Sequence, residues 1–192
     1  MNKLKIMQEV SMNKDMKLSE HFTLGELTKT NHKTEDQNIP SRVAIENLRN
    51  LCENWLEDLR YSYNTLYKST VAEPAALDQR SLATRSALPL GLSKNGTQEA
   101  PLFINSAYRS PEVNKKAGGS PTSNHLTGCA VDIRVAGFEQ AIRYASILLD
   151  ISDGTKQDYD ELYIERNGAG RYWIHFAVRP KDNRRKTRFI QT

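Results

Sequence analysis

The segment Ser123-Asn124-His125-Leu126-Thr127-Gly128-Cys129-Ala130-Val131-Asp132 sets a histidine and an aspartate on either side of a glycine turn that runs into an apolar strand. Gly128 permits the chain reversal that returns His125 over Asp132. A second histidine, His175, sits in a later apolar strand, Tyr172-Trp173-Ile174-His175-Phe176. Two imidazoles and one carboxylate form a three-ligand zinc set that leaves one coordination position for water.

The strand pattern around these residues supports convergence. From Cys129 onward, Ala130, Asp132 and Arg134 share one face, while Val131 and Ile133 face the core. In the final apolar strand Trp173, His175 and Ala177 share a face, and Ile174, Phe176 and Val178 face inward. Each candidate strand ligand is therefore a polar residue interrupting a hydrophobic pattern on the open side. The other two histidines, His21 and His32, lie in an N-terminal polar region without companion ligand spacing.

Working outward, Leu102–Ser106 reads as a short strand and Ser110-Pro111-Glu112 as a helix start, with a serine cap and proline at the first helical position. Gly118-Gly119-Ser120-Pro121 ends that helix. A further helix follows Gly137, with apolar Phe138, Ala141, Ile142, Ala145, Leu148 and Leu149. Glu161–Glu165 and Tyr172–Val178 flank a glycine-containing loop and read as a hairpin. Upstream, Thr23 and Glu26 suit a capping box. Pro40 and Ser41 open a helix whose apolar positions are Ala44, Ile45, Leu48, Leu51, Cys52, Trp55, Leu56 and Leu59.

The pattern predicts an α+β fold with a small, mainly antiparallel sheet and flanking helices. It divides the chain into a flexible leader at 1–17, one domain at 18–180 with an insertion at about 61–100, and a basic tail at 181–192. Within the insertion, Ala75–Ala87 is a candidate helix, and the whole excursion reads as a surface loop or a lid.

The chain has 192 residues, is 38% hydrophobic and carries a net charge of +4. No apolar run reaches the roughly 18 residues of a membrane span, and no secretory signal is recognisable at Met1–Val10. Two cysteines, Cys52 and Cys129, read as buried thiols. Six basic residues fall between Arg179 and Arg188. They read as a solvated C-terminus; without interleaved aromatics they do not suggest a nucleic-acid platform.

A zinc ion held by three ligands lowers the pKa of its water from about 15.7 to roughly 7, and hydrolysis then needs a base. Glu165 and Glu161 both share the open face beside His175; Glu165, nearer the hairpin loop, is the preferred base. Arg109, just before the Ser110 cap, suits a substrate carboxylate or an oxyanion, or else pairs with Glu112. Ser123 either holds the His125 loop or contacts substrate.

Ile104-Asn105-Ser106-Ala107-Tyr108-Arg109-Ser110-Pro111-Glu112-Val113-Asn114, the Ser-x-His-x-x-Gly-x-Ala-x-Asp run from Ser123 to Asp132, and Trp173-x-His175 together resemble the D-Ala-D-Ala carboxypeptidase family of zinc peptidases. That family shares its fold with the hedgehog signalling domain and lysostaphin-type enzymes. Leu18–Glu26 is similar to the start of a bacterial and phage branch. The resemblance covers about residues 18–60 and 101–180. It implies one zinc per chain on His125, Asp132 and His175, with Arg109 near the substrate.

It also implies hydrolysis of peptidoglycan stem or cross-link peptides, by endo- or carboxypeptidase action, in wall remodelling or endolysin-type lysis. The protein would be made in the cytoplasm and released through a holin or another route. The alternative implied is a non-catalytic zinc-containing module for wall binding or signalling. Family members often place a glutamate three residues before the last histidine; that position is Tyr172 here, which leaves the base to Glu165 or Glu161. Oligomeric state is left open.

Overall fold

The computed structural model describes residues 13–68 and 100–192. The leader's first twelve residues and the candidate helix Ala75–Ala87 lie outside the described residues. A short bridge between Lys17 and Thr23 precedes α1 (Leu24–Leu27), where Thr23 Oγ1 accepts from the Glu26 N–H.

Ser41 caps α2 (Arg42–Leu51) by accepting from the Ala44 N–H. The helical path then continues through a wide π-type turn at Cys52–Leu56, α3 (Glu57–Tyr63) and a second wide turn at Asn64–Lys68. The apolar stripe read from the sequence is the buried one: Leu48, Leu51, Cys52, Trp55, Leu56 and Leu59 have no solvent exposure. The sequence reading starts the insertion at about residue 61, yet the helix runs on to Lys68. Tyr63 explains this, because its ring meets Tyr144 edge-on with centroids 4.8 Å apart.

The sheet comprises β1 (Ile104–Ser106), β2 (Ala130–Arg134), β3 (Glu161–Arg166), β4 (Tyr172–Ala177) and β5 (Lys186–Gln191), in the spatial order β1-β2-β4-β3-β5. α4 (Pro111–Lys116) has Ser110 as its cap, and α5 (Phe138–Thr155) crosses behind the sheet. Val131, Ile133, Leu162, Ile174 and Phe176 form the sheet's contribution to the core, and Trp55 packs on Phe176 with ring centroids 5.0 Å apart. The helical residues pack in one core cluster with the face of the sheet that carries Val131, Ile133, Leu162, Ile174 and Phe176; Asp132 and His175 alternate to the other face.

The sheet is mixed, which corrects the expectation of a mainly antiparallel one. β1–β2, β2–β4 and β3–β4 pair antiparallel, but β5 joins β3 in parallel. The chain leaves β4, turns through Arg179–Arg185 and returns to the start of β3, where the Arg185 and Lys186 N–H groups donate to the Tyr159 and Asp160 carbonyls. The stretch read as a solvated basic tail thus ends in an edge strand. Its lysine and arginine side chains hid it from a hydrophobic reading, and such charges suit an unpaired edge.

Both cysteines are free and buried. Among the described residues, no helix is long and apolar enough to cross a membrane.

Candidate metal centre

Gly128 makes the turn that carries His125. Its φ of +71° lies in the left-handed region, and a Cβ there would meet the Ala44 carbonyl oxygen at 2.4 Å. Just before it, Asn124–Thr127 forms a single 3₁₀ turn capped by Ser123, whose Oγ accepts from the His125 N–H. Of the two roles read for Ser123, holding the loop is therefore the contact it makes.

Strand register brings the other two candidate ligands together, since Asp132 and His175 are direct partners across β2 and β4. His125 Nε2 lies 3.2 Å and His175 Nδ1 2.9 Å from Asp132 Oδ1. All three side chains are buried, and their candidate ligand atoms lie within 4.8 Å of one another.

The hydrogen bonds behind these atoms decide whether the set suits a metal. His125 Nδ1 is 2.5 Å from the Ala107 carbonyl, so it donates there and leaves the Nε2 lone pair facing Asp132. His175 Nε2 is 3.3 Å from Glu161 Oε2, and donation there leaves Nδ1 for the centre. Each imidazole is thus fixed in tautomer and ring orientation by its outer nitrogen, as zinc-binding histidines require. The donor set fits zinc by residue type, convergence and outer-shell support.

Charges and hydrogen bonds couple the titration of the cluster's members. Burial disfavours a charged His175, but hydrogen bonds to Asp132 and Glu161 overcome this and raise its pKa to about 9. Burial likewise opposes ionisation of Asp132, and the charges and hydrogen bonds of His125 and His175 outweigh it, holding the carboxyl well below its ordinary range. For Glu161 the hydrogen bond from His175 is the largest influence, opposed by burial and aided by Asn124, and the pKa falls to about 2.

Arg109 does not pair with Glu112. Its guanidinium Nη2 binds Asp132 Oδ2, and Nε donates to Ser106 Oγ at 2.8 Å. Its backbone N–H donates to the His125 carbonyl. Arg109 therefore secures the aspartate oxygen turned away from the histidines. Beyond it a polar cleft is lined by Lys29, His32, Asn105, Ser106, Tyr108 and Arg109.

The two candidate bases occupy different surroundings. Glu161 Oε1 is 2.6 Å from Arg184 Nη2, and Oε2 accepts from Asn124 at 2.9 Å as well as from His175. Both oxygens are committed. Glu165 pairs in register with Trp173, two residues along β4 from His175 and on the same face. Burial raises its pKa, and it feels the charges of His175, Asp132 and Arg109, which places it in the field of the same cluster.

Several supporting residues escaped the sequence reading. Tyr163, opposite His175 in register, stacks on its ring with centroids 5.5 Å apart. Buried Asn38 holds the loop bearing Arg109: its amide donates to the Thr28 and Tyr108 carbonyls, and its Oδ1 accepts from the Ser110 N–H. Only adjacency to His125 could have flagged Asn124. Nothing in a basic tail distinguishes Arg184.

An α+β domain with a buried His–Asp–His cluster on one face of its sheet has a group of side chains placed to hold a metal ion. A family model described as Peptidase M15 matches residues 61–157, just over half of the chain, and takes in Arg109, His125 and Asp132. The chain belongs to this family of metallopeptidases. No curated protein matches the chain.

Proposed function

We propose that the protein is a zinc-dependent peptidase that hydrolyses peptidoglycan stem or cross-link peptides, with His125, Asp132 and His175 as the metal ligands. The observation that carries this reading is the convergence of His125 Nε2, Asp132 Oδ1 and His175 Nδ1, each imidazole held through its other nitrogen. A zinc ion held by that set would supply Lewis acidity toward a peptide carbonyl and a water.

Glu165 accepts the proton of the attacking water and returns it to the leaving amine. Its raised pKa suits both transfers, whereas Glu161 is a poor acceptor with its pKa near 2 and both oxygens engaged. Arg109 keeps Asp132 aligned and faces the polar cleft, where a substrate carboxylate or carbonyl finds donors.

The open face also favours an acidic peptide. Register puts Arg134 beside Trp173, and Arg188 beside Tyr163, in the rows that hold the candidate base and His175. Both arginines are exposed, and neither pairs with a carboxylate among the described residues. Stem peptides with free carboxylates complement such a surface.

The test is zinc content of the purified protein together with mass analysis of peptidoglycan it has digested. Stoichiometric zinc and new stem-peptide termini are expected. Bound zinc without any cleavage would turn the assignment to a non-catalytic module. Absence of metal even after zinc is added would overturn the reading altogether.

A further inference from the structure

We infer that Arg184, in the turn that leads into β5, is a positioning residue for the metal centre: it fixes the carboxylate that orients His175. The inference rests on the proposed zinc site and extends it to a part of the chain beyond the last ligand.

Asp160 and Glu161 are adjacent carboxylates where the chain enters β3, and the charge of Glu161 opposes ionisation of Asp160. Asp160 has no side-chain exposure, so it must be paired. Arg184 supplies that pairing twice over, with Nε 2.7 Å from Oδ1 and Nη2 2.5 Å from Oδ2. The same Nη2 reaches Glu161 Oε1 at 2.6 Å. Asn124, immediately before ligand His125, bridges the same two acids from the other side, at 2.8 Å and 2.9 Å.

The consequence concerns the geometry of one ring. Glu161 can hold the His175 Nε2–H only while its own oxygens are fixed. Arg184 holds Oε1, which leaves Oε2 turned to Asn124 and His175. Loss of the guanidinium frees Oε1 and leaves Glu161 without its cationic partner, while Asp160 keeps Arg179 at 3.6 Å; held then by Asn124 on the Oε2 side, the Glu161 carboxylate can rotate. His175 then loses the partner that keeps Nδ1 facing Asp132 and His125. Removing such outer-shell partners typically weakens metal binding about 10–100-fold.

Arg185 provides the control. It anchors the same turn, with guanidinium nitrogens 2.9 Å from Asp153 and 2.9 Å from Asp158, and it makes no contact with Glu161. A purely structural role for the tail would make the two arginines equivalent.

The experiment compares the full chain with Arg184→Ala, Arg184→Lys and Arg185→Ala. Zinc dissociation constants are measured by competition with a chromophoric chelator, and the visible spectrum of the cobalt-loaded form reports ligand geometry. Arg184→Ala is expected to bind zinc about 10–100-fold more weakly with an altered cobalt spectrum. Arg184→Lys should recover part of the affinity, and Arg185→Ala should match the parent in affinity even if its melting temperature falls. Arg184→Gln carries the comparison should the alanine variant not fold.

Parent-like affinity and spectrum in Arg184→Ala would overturn the inference, as would an equal loss in Arg185→Ala. A parent chain that binds no zinc at all would instead overturn the metal centre on which it rests.

Discussion

Asp132 is the residue through which every part of the centre communicates. One oxygen meets both imidazoles and the other meets Arg109. Its neighbours on the open face divide the remaining labour between holding and reacting. Glu161 is engaged by Arg184, Asn124 and His175, while Glu165 keeps a raised pKa in reach of the same charges. Glu165→Gln is accordingly expected to lower kcat by about 10²–10⁴-fold, the usual contribution of a general base, with zinc content unchanged. Glu161→Gln should instead show its effect first as weaker zinc binding. Turnover rates and metal analysis on the two variants separate the roles; retained turnover in Glu165→Gln would remove it as the base.

Parity and the Gly128 turn pointed to the three candidate ligands, and the structure brings them together: Asp132 and His175 face each other across paired strands, and His125 reaches them from the preceding turn. The groups that orient them were not legible in the sequence. The Ala107 carbonyl, Asn124 and Arg184 act through contacts between distant parts of the chain, which no local pattern encodes.

At the level of elements, the site is two strands in register plus one turn. The turn is the most sensitive of the three. Gly128→Ala would hold a side chain in the left-handed region and press its Cβ into the Ala44 carbonyl of α2. The backbone term alone is about 1 kcal/mol or more, so a fall in melting temperature of more than about 2 °C is expected. Zinc binding should weaken with it, because His125 lies on the same turn. A parent-like melting curve and affinity would show that α2 can withdraw at no cost.

β5 is the element that sequence reading loses. Its six residues, Lys186–Gln191, carry only two apolar side chains, the adjacent Phe189 and Ile190, which give no alternating apolar pattern, and salt bridges in the preceding turn add to its pairing with β3. Its parallel pairing places Arg188 next to Tyr163, which stacks on His175. Arg188→Ala is expected to leave stability within about 0.5 kcal/mol, as for other exposed positions. It should raise KM several-fold for peptides with free carboxylates and have little effect on their amidated counterparts. An equal change for both kinds of peptide would exclude charge recognition by this strand.

For the whole molecule, the centre makes stability depend on pH in opposite ways with and without metal. In the metal-free protein, His175 has a pKa of about 9, above its ordinary 6.5. Its proton therefore contributes stability fully below about pH 6.5, and that contribution is lost as pH rises through 9. Glu161, depressed to about 2 from its ordinary 4.5, contributes above pH 4.5 and loses its contribution as pH falls towards 2. The metal-free chain should be most stable between those two limits. In the proposed site the His175 Nδ1 lone pair would face the metal, so zinc binding would displace the proton that stabilises the metal-free form, and zinc affinity would rise with pH. Since a ligand stabilises the folded state according to its concentration relative to its dissociation constant, the rise in melting temperature on adding zinc should be larger at about pH 8.5 than at about pH 5.5. Thermal melts of the metal-free and zinc-loaded protein at both pH values measure this directly. An increment that stays constant or shrinks towards alkaline pH would mean that His175 is not the group that gives up its proton to the metal.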